Sequence, residues 1–122
     1  MKHLILILFL CVPYTSFSQK KYPKDYFRNP LNIPIFLTGS FGELRSNHFH
    51  AGLDIKTQGK EGLKVFAAAD GYVSRIKVQQ FGYGKAIYIT HPNGYTSVYG
   101  HLSRFNDEIE KYVKNIQYKK EN

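Results

Sequence analysis

Residues 85–102 read KAIYITHPNGYTSVYGHL, and this stretch decides the fold class. Two runs rich in Ile, Tyr, Thr and Val flank the turn sequence Pro92-Asn93-Gly94. β-Branched and aromatic residues favour strands, and an Asn-Gly pair between two such runs is a strong hairpin signal. The stretch therefore predicts two antiparallel strands, Lys85–His91 and Thr96–Leu102, joined by a tight turn.

The N-terminal side of this hairpin continues the pattern of short apolar runs punctuated by glycine. Aromatic residues make up 16% of the chain, which agrees with a strand-rich protein. We therefore expect a mainly β fold built on antiparallel sheet. The further strands predicted by the pattern are Ile35–Thr38, Phe49–Ile55, Lys64–Ala68 and Gly71–Gln79.

The C-terminal residues follow a helical period instead. Acidic residues come early and lysines late, which complements the helix dipole. Asp107 followed by Glu110 resembles a capping box. The pattern predicts an amphipathic helix over residues 107–118. The apolar residues that recur at helical spacing are Ile109, Tyr112, Val113 and Ile116.

The first 18 residues have the layout of a secretory signal peptide. Lys2 precedes the apolar run Leu4–Val12, and Ser16-Phe17-Ser18 places small residues before a cleavage site. The run is too short for a stable membrane anchor. A buried N-terminal element, or a lipid anchor at Cys11, agrees less well with this order of features. We therefore expect residues 1–18 to be removed from a secreted or periplasmic protein of the bacterial envelope.

The remaining chain is long enough for one domain. We divide it into an extended lead-in at 19–34, a domain at 35–105 and a helical segment at 106–122. Removing the leader lowers the net charge from +8 to +7, because residues 1–18 hold one Lys and no acid. The basic residues are scattered, so we do not expect nucleic acid as a partner. The single Cys leaves with the leader, so a metal site must use His and carboxylate ligands.

Residues 49–55, FHAGLDI, contain a candidate metal pair. Side chains alternate along a strand, so His50 and Asp54 would share one face across Gly52. Zinc binds His nitrogen and Asp oxygen, and a catalytic site usually has three protein ligands and a water. A surface His and Asp beside core residues would give the same spacing, so spacing alone does not decide. The residues expected to face a core are Phe49, Ala51, Leu53 and Ile55.

A second histidine, His101, ends the predicted strand Thr96–Leu102, which we expect in the same sheet as residues 49–55. There it would orient water or donate a hydrogen bond to a developing oxyanion. A structural histidine at a strand end is the alternative. Tyr99 shares its face, and we expect Tyr99 to contact substrate. His91 precedes the turn and is expected to be structural or solvent-exposed.

Taken together, these segments resemble the lysostaphin-type zinc endopeptidases, or LytM family, which cut peptide cross-bridges of peptidoglycan. The resemblance covers residues 35–105 in unbroken order. It implies a mostly antiparallel sheet that forms a groove with the metal on its floor, built as an incomplete copy of the family's duplicated hybrid motif. The matching runs are NHFHAGLDI at 47–55, VFAAADGYV at 65–73, GYGKAIYI at 82–89 and YGHL at 99–102.

The resemblance also implies site roles and a substrate. His50 and Asp54 would be zinc ligands, and His101 would be the catalytic histidine that does not bind the metal. The chain would then be a zinc metalloendopeptidase acting on peptidoglycan peptide. Arg45 would bind a substrate carboxylate, although a solvated loop arginine is the alternative. His48 would line the groove and contact substrate, or serve as a makeshift third ligand.

The chain departs from the family in one respect. The family completes its site with a later His-x-His motif, and no such motif follows His101 before the chain ends at Asn122. We therefore expect an incomplete copy, inactive or weakly active as it stands. The alternative is a non-catalytic envelope module of the same fold that binds wall peptides or regulates another wall hydrolase.

Overall fold

A computed structural model describes residues 24–121, so the predicted signal peptide lies outside the described residues. The described chain forms antiparallel strands followed by one helix, which confirms the mainly β fold with a C-terminal helix. The elements in chain order are β1 (Leu37–Gly39), β2 (Asp54–Ile55), β3 (Tyr72–Val78), β4 (Lys85–Thr90), β5 (Thr96–Tyr99) and α1 (Asp107–Glu121).

The predicted hairpin forms two strands of a three-stranded antiparallel sheet, here called the β3–β5 sheet, with β4 in the centre. Thr90 pairs with Thr96 and Ile87 with Tyr99. Gly94 has a φ of 83°, a backbone conformation that is unfavourable for residues other than glycine. Its N–H donates to the His91 carbonyl. The Asn-Gly turn therefore fixes the register of the strands that flank it.

Strand β3 completes this sheet. Val78 pairs with Lys85 and Tyr72 with Thr90, and a bulge lies between Val73 and Arg75. The tight connection between β3 and β4 uses two glycines, Gly82 and Gly84, both with positive φ. Short connections of this kind make each strand the neighbour of the next one along the chain.

The prediction of a strand over Phe49–Ile55 was wrong for most of its length. Only Asp54–Ile55 is a strand, paired with β1, while Phe49 forms an isolated bridge with Leu44. Phe49 and Leu53 are 69% and 59% exposed, so they do not face a core. Strand β2, which contains Asp54, pairs with β1, whereas β5, which precedes His101, belongs to the sheet of β3, β4 and β5. The prediction that residues 49–55 and the strand before His101 share one sheet was therefore wrong.

The predicted strand Lys64–Ala68 is irregular. Its backbone is instead bonded to the lead-in: Phe66 N–H donates to the Pro30 carbonyl at 2.8 Å, and Arg28 N–H donates to the Ala68 carbonyl at 2.7 Å. Two separate bonds hold the chain in place without forming a ladder. The apolar run is therefore explained by packing beside an extended segment and not by sheet formation.

Few apolar side chains are buried among residues 24–121. Ala86, on β4, is completely buried, and Phe105 is 2% exposed. No large side chain among residues 24–121 is fully buried. The remaining buried apolar residues are Leu31 and Ala69.

Helix α1 starts at Asp107 as predicted, but its cap differs from the predicted capping box. Asn106 is the N-cap, because its side-chain oxygen accepts the Ile109 N–H at 2.9 Å. Glu110 accepts the N–H of Phe105 at 3.2 Å, and Asp107 pairs with Arg104. Asn106, one residue earlier, takes the N-cap position that was predicted for Asp107. Asp107 lies instead in the first turn, where its negative charge interacts favourably with the helix dipole.

The helix stands over a groove of about 820 Å³ beside β3. Its first turn is tied to the β3–β5 sheet by Lys85 Nζ, which lies 3.5 Å from Glu110 Oε1. No helix within residues 24–121 combines the length and apolar character needed to cross a bilayer. Apolar residues on the groove walls include Val73, Ile76, Val78, Ile109, Tyr112 and Val113.

Candidate metal centre and active site

His50 and Asp54 meet in the structure although they do not share a regular strand. His50 Nε2 lies 3.1 Å from Asp54 Oδ1. The other ring nitrogen of His50, Nδ1, lies 3.0 Å from the carbonyl oxygen of Ser40. A carbonyl only accepts hydrogen bonds, so Nδ1 carries the hydrogen, and in the neutral ring Nε2 keeps its lone pair. Two lone pairs repel each other, so the contact between Nε2 and the carboxylate requires either a proton or a cation between the two atoms.

The backbone of residues 39–54, here called the site loop, places His50. The His50 N–H donates to the Glu43 carbonyl at 2.8 Å, and the His50 carbonyl accepts the Gly42 N–H at 2.8 Å. Arg45 N–H donates to the His48 carbonyl at 2.9 Å. These bonds close an antiparallel turn whose two arms run side by side. The turn brings His50 back beside Ser40, so a contact ten residues apart along the chain orients the imidazole.

Asp54 is reached from its other side by Arg45. Arg45 Nη2 lies 2.7 Å from Asp54 Oδ2 and 3.2 Å from Glu43 Oε2. The two carboxylate oxygens of Asp54 thus have different partners, since Oδ1 faces His50 and Oδ2 faces the guanidinium. Arg45 is 37% exposed at its side chain. Its expected contact with a substrate carboxylate stays a prediction, because its Nη2 donor is occupied within the protein.

His48 lies on the exposed part of the same loop. Its Nδ1 is 2.6 Å from the side-chain oxygen of Asn47. Within residues 24–121, no hydrogen bond or ion pair joins His48 to His50 or Asp54. His48 is therefore placed on a surface that a substrate could reach, and its contact with substrate stays a prediction.

His101 follows β5, and its side chain is exposed. Its φ is 54°, and its N–H donates to the Tyr83 carbonyl at 2.8 Å. The ring meets that of Tyr83 edge-on, with the centroids 6.3 Å apart. Non-glycine residues with positive φ are uncommon, so this backbone bond fixes an unusual turn that presents the imidazole. Over residues 24–121, no hydrogen bond or ion pair connects His101 with His50 or Asp54.

Tyr99 and His91 form a network inside the protein that the sequence did not predict. Ala68 N–H donates to Tyr99 Oη at 2.7 Å, and Tyr99 Oη lies 2.9 Å from Ser97 Oγ. Ser97 Oγ lies 2.9 Å from His91 Nε2, and His91 Nδ1 lies 2.8 Å from the carbonyl oxygen of Asp70. Because that carbonyl accepts, the neutral His91 carries its hydrogen on Nδ1, and Nε2 accepts from Ser97.

The network has a structural consequence for the end of β5. It links the irregular segment before β3 with β5 and with the turn between β4 and β5, and His91 is only 3% exposed. Of the two expectations for His91, the structural one is therefore confirmed and the exposed one is wrong. The hydroxyl of Tyr99 is engaged here, so its expected contact with substrate stays a prediction.

Comparison with known proteins assigns the chain to a family. The model of peptidase family M23 matches residues 48–118, which is more than half of the chain. The chain belongs to peptidase family M23. This confirms the family resemblance drawn from the sequence, since the matched span contains both the site loop's His50 and the β3–β5 sheet.

The M23 chain is also similar to curated proteins. It is 39% identical over 62 residues to the "DD-carboxypeptidase/endopeptidase Mpg" of Neisseria meningitidis serogroup B and to that of Neisseria gonorrhoeae. The similarity covers 51% of this chain and 14% of each relative, so the chain spans a small part of the relatives it matches. No solved structure matches.

The His50–Asp54 pair fits one edge of a zinc site. Nitrogen and oxygen ligands about 2.0–2.2 Å from a tetrahedral zinc ion lie about 3.3–3.5 Å apart, close to the 3.1 Å between Nε2 and Oδ1. The bond from Nδ1 to a carbonyl is the usual way in which a metal-binding histidine is oriented. Within residues 24–121, no three His, Cys, Asp or Glu side chains lie close enough together to hold a metal. The pair thus supplies two donors of the expected chemistry.

Two parts of the site were missed from the sequence. The Ser40 carbonyl carries no side-chain signal and could not have been found by motif reasoning. Gly39 is the second, because a methyl group there would lie 2.5 Å from both Arg45 Nη2 and Asp54 Oδ2. The closely spaced charges at Glu43 and Arg45, just before the metal run, were an available signal for an ion pair.

Proposed function

We propose that this M23 chain carries the metal-binding part of a zinc metalloendopeptidase that hydrolyses peptide cross-links of peptidoglycan in the bacterial envelope. The observation that supports the proposal most is the distance of 3.1 Å between His50 Nε2 and Asp54 Oδ1. The hydrogen bond from His50 Nδ1 to the Ser40 carbonyl orients the ring for this contact. The Neisseria relatives are named as a DD-carboxypeptidase/endopeptidase, which agrees with a peptide substrate of this kind.

The residues of this chain would divide the work. His50 and Asp54 would hold the ion, which when bound polarises a carbonyl and lowers the pKa of its water. The Ser40 carbonyl would keep Nδ1 of His50 protonated, so that Nε2 remains the ligand atom. His101 would position the reacting groups by hydrogen bonding, as its exposed ring at the end of β5 permits.

Zinc titration of the purified protein tests this proposal. We expect zinc binding that Asp54→Asn and His50→Ala each weaken by more than about 100-fold, because loss of a ligand exceeds the 10–100-fold effect of losing a ligand's hydrogen-bond partner. Asp70→Asn is the matched control, since it removes an exposed carboxylate outside the site loop. Equal zinc affinity in all four proteins would contradict the proposal.

The identity of a third donor is read from the same titration. His48→Ala would leave zinc affinity within about twofold if His48 contacts only substrate, whereas a loss as large as that of His50→Ala would make it a ligand. Because the described residues bring together two metal donors and not three, we expect at most weak zinc-dependent release of peptides from purified peptidoglycan. Any release that is detected should be lost in Asp54→Asn and in His101→Ala.

A non-catalytic wall-binding module is the second candidate. It is favoured by one observation, that the described residues bring together two metal donors and not three. Such a module would bind peptidoglycan peptides equally well with zinc and with a chelator. Peptide binding that is independent of zinc, together with no zinc binding by the protein, would establish this candidate in place of the enzyme.

A further inference from the structure

Arg45 is placed so that its guanidinium acts on a metal ligand. Its Nη2 contacts Asp54 Oδ2 at 2.7 Å and Glu43 Oε2 at 3.2 Å. Its Nε is buried and has no hydrogen-bond partner within the described chain. An arginine that binds a substrate carboxylate would keep both arms of its fork open to solvent. Here one arm is already engaged with Asp54, and the Nε donor is turned inward.

The backbone is shaped around this ion pair. Gly39 pairs with Asp54 in the β1–β2 ladder and is buried. Because its missing side chain would lie 2.5 Å from both Arg45 Nη2 and Asp54 Oδ2, any residue other than glycine would push the two groups apart. The site loop therefore combines a strand register, a glycine and an ion pair at one point.

The ion pair determines which oxygen of Asp54 is available. A free carboxylate rotates about its last bond and offers either oxygen, or both, to a cation. With Oδ2 bonded to the guanidinium, rotation is restricted, and Oδ1 is presented beside His50 Nε2. Glu43 Oε2 contacts the same Nη2 atom and offsets the charge of the guanidinium, which reduces repulsion toward an incoming cation.

We propose that Arg45 is a positioning residue of the metal site, which fixes Asp54 as a single-oxygen ligand, with Glu43 orienting the guanidinium and Gly39 providing the space. The proposal rests on the proposed function, because it takes His50 and Asp54 as the metal ligands. It assigns Arg45 an action through Asp54 and not through the substrate.

The test is the affinity of the purified protein for zinc, measured by competition with a coloured chelator, and the absorption spectrum of bound cobalt. We expect Arg45→Met to weaken zinc binding by about 10–100-fold, the range seen when a metal ligand loses its hydrogen-bond partner. Arg45→Lys restores part of this affinity because it keeps one donor, and the cobalt spectrum of Arg45→Met changes because Asp54 binds differently.

Other outcomes distinguish this inference from the proposed function. If the unmodified protein and His50→Ala bind zinc equally, the metal site itself is wrong. If His50→Ala loses zinc and Arg45→Met does not, within about threefold, only the role of Arg45 is wrong. Tighter zinc binding by Arg45→Met would also overturn the inference, because the guanidinium would then act as a competing cation.

A second variant guards against loss of folding in Arg45→Met. Glu43→Gln keeps a side-chain oxygen that can accept the Ser40 N–H and leaves the ion pair between Arg45 and Asp54 intact, but removes the carboxylate charge beside the guanidinium. We expect a smaller loss of zinc affinity in the same direction, with an unchanged circular dichroism spectrum. An unchanged zinc affinity in a folded Glu43→Gln protein, together with an unchanged affinity in Arg45→Lys, would overturn the inference.

Discussion

The β3–β5 sheet and the site loop are built in different ways. In the β3–β5 sheet, each strand pairs with its neighbour along the chain, and an Asn-Gly turn fixes one register. At the site loop, β1 and β2 form a short ladder, Leu44 and Phe49 form one isolated bridge, and His50 is held by a carbonyl ten residues away. The first is determined by a local pattern of side chains, and the second by contacts between separated groups. The β3–β5 sheet is therefore easier to predict from the sequence than the arrangement of side chains in the site loop.

Burial follows the same division. Ala86 in the β3–β5 sheet is completely buried, whereas Phe49 and Leu53, next to His50 and Asp54 along the chain, are 69% and 59% exposed. The alternation of apolar and polar residues in FHAGLDI has the period of a strand but lacks a neighbouring strand along most of its length. A substitution in the sheet should thus change mainly stability, and one in the site loop mainly metal binding.

Adding one methyl group in each region should separate the two effects most strongly. In Gly71→Ala, the new methyl group would lie 2.5 Å from the Thr90 carbonyl oxygen and 2.9 Å from His91 Nδ1. The backbone cannot yield easily, so we expect a loss of about 3 kcal/mol in the free energy of unfolding. Urea unfolding, followed by circular dichroism, measures this loss.

Gly39→Ala is the matched variant in the site loop. Its methyl group would meet the ends of the Arg45 and Asp54 side chains, which can move apart. We expect a loss of about 1 kcal/mol or less, together with a clear loss of zinc affinity. The comparison fails if Gly39→Ala is the more destabilising substitution, or if Gly71→Ala changes zinc affinity in the folded protein.

The hydroxyl of Tyr99 offers a smaller test of the sheet. Tyr99→Phe keeps the ring but removes the acceptor of Ala68 N–H and the neighbour of Ser97 Oγ. We expect the free energy of unfolding to fall by about 1–2 kcal/mol, with no change in zinc affinity. Tyr72→Phe on the exposed edge of β3 should stay within about 0.5 kcal/mol of the unmodified protein.

A different result would change the assignment of Tyr99. If Tyr99→Phe left stability unchanged and instead raised KM for peptidoglycan peptides, the hydroxyl would serve the substrate as first predicted from the sequence. The network from Asp70 to Ala68 would then be incidental to the position of β5.

The sequence predicted the sheet well because the information is local. The turn at Asn93-Gly94 and the flanking Ile and Val residues predict the first residues of β4 and β5 correctly, and the helix starts where expected. Strand β4 ends one residue before the predicted end, and β5 ends three residues before it. It did not predict the irregular path of Lys64–Ala68, since hydrogen bonds to Arg28 and Pro30 depend on where a distant segment passes. The pairing of Arg45 with Asp54 was missed for the same reason.

Helix α1 provides the smallest test, which asks whether the helix belongs with the β3–β5 sheet. The hydrogen bond from Phe105 N–H, and next the charge of Lys85 on β4, lower the pKa of Glu110 below its usual 4.5. A carboxyl with a lowered pKa in the folded protein stabilises it above about pH 4.5, and this contribution is lost as the pH falls through the folded value.

Glu110→Gln should therefore be less stable than the unmodified protein at pH 7, and the difference in stability between the two proteins should disappear as the pH falls through the lowered pKa of Glu110. Lys85→Met is the informative companion: because the Phe105 bond is the larger cause, most of the pH dependence should remain in that variant. If Lys85→Met instead removes all of the pH dependence, the ion pair between Glu110 and Lys85, and not the hydrogen bond from Phe105 N–H, is the main source of the lowered pKa of Glu110. If the free energy of unfolding of Glu110→Gln differs from that of the unmodified protein equally at pH 7 and at acidic pH, Glu110 does not couple the helix to the sheet through its charge.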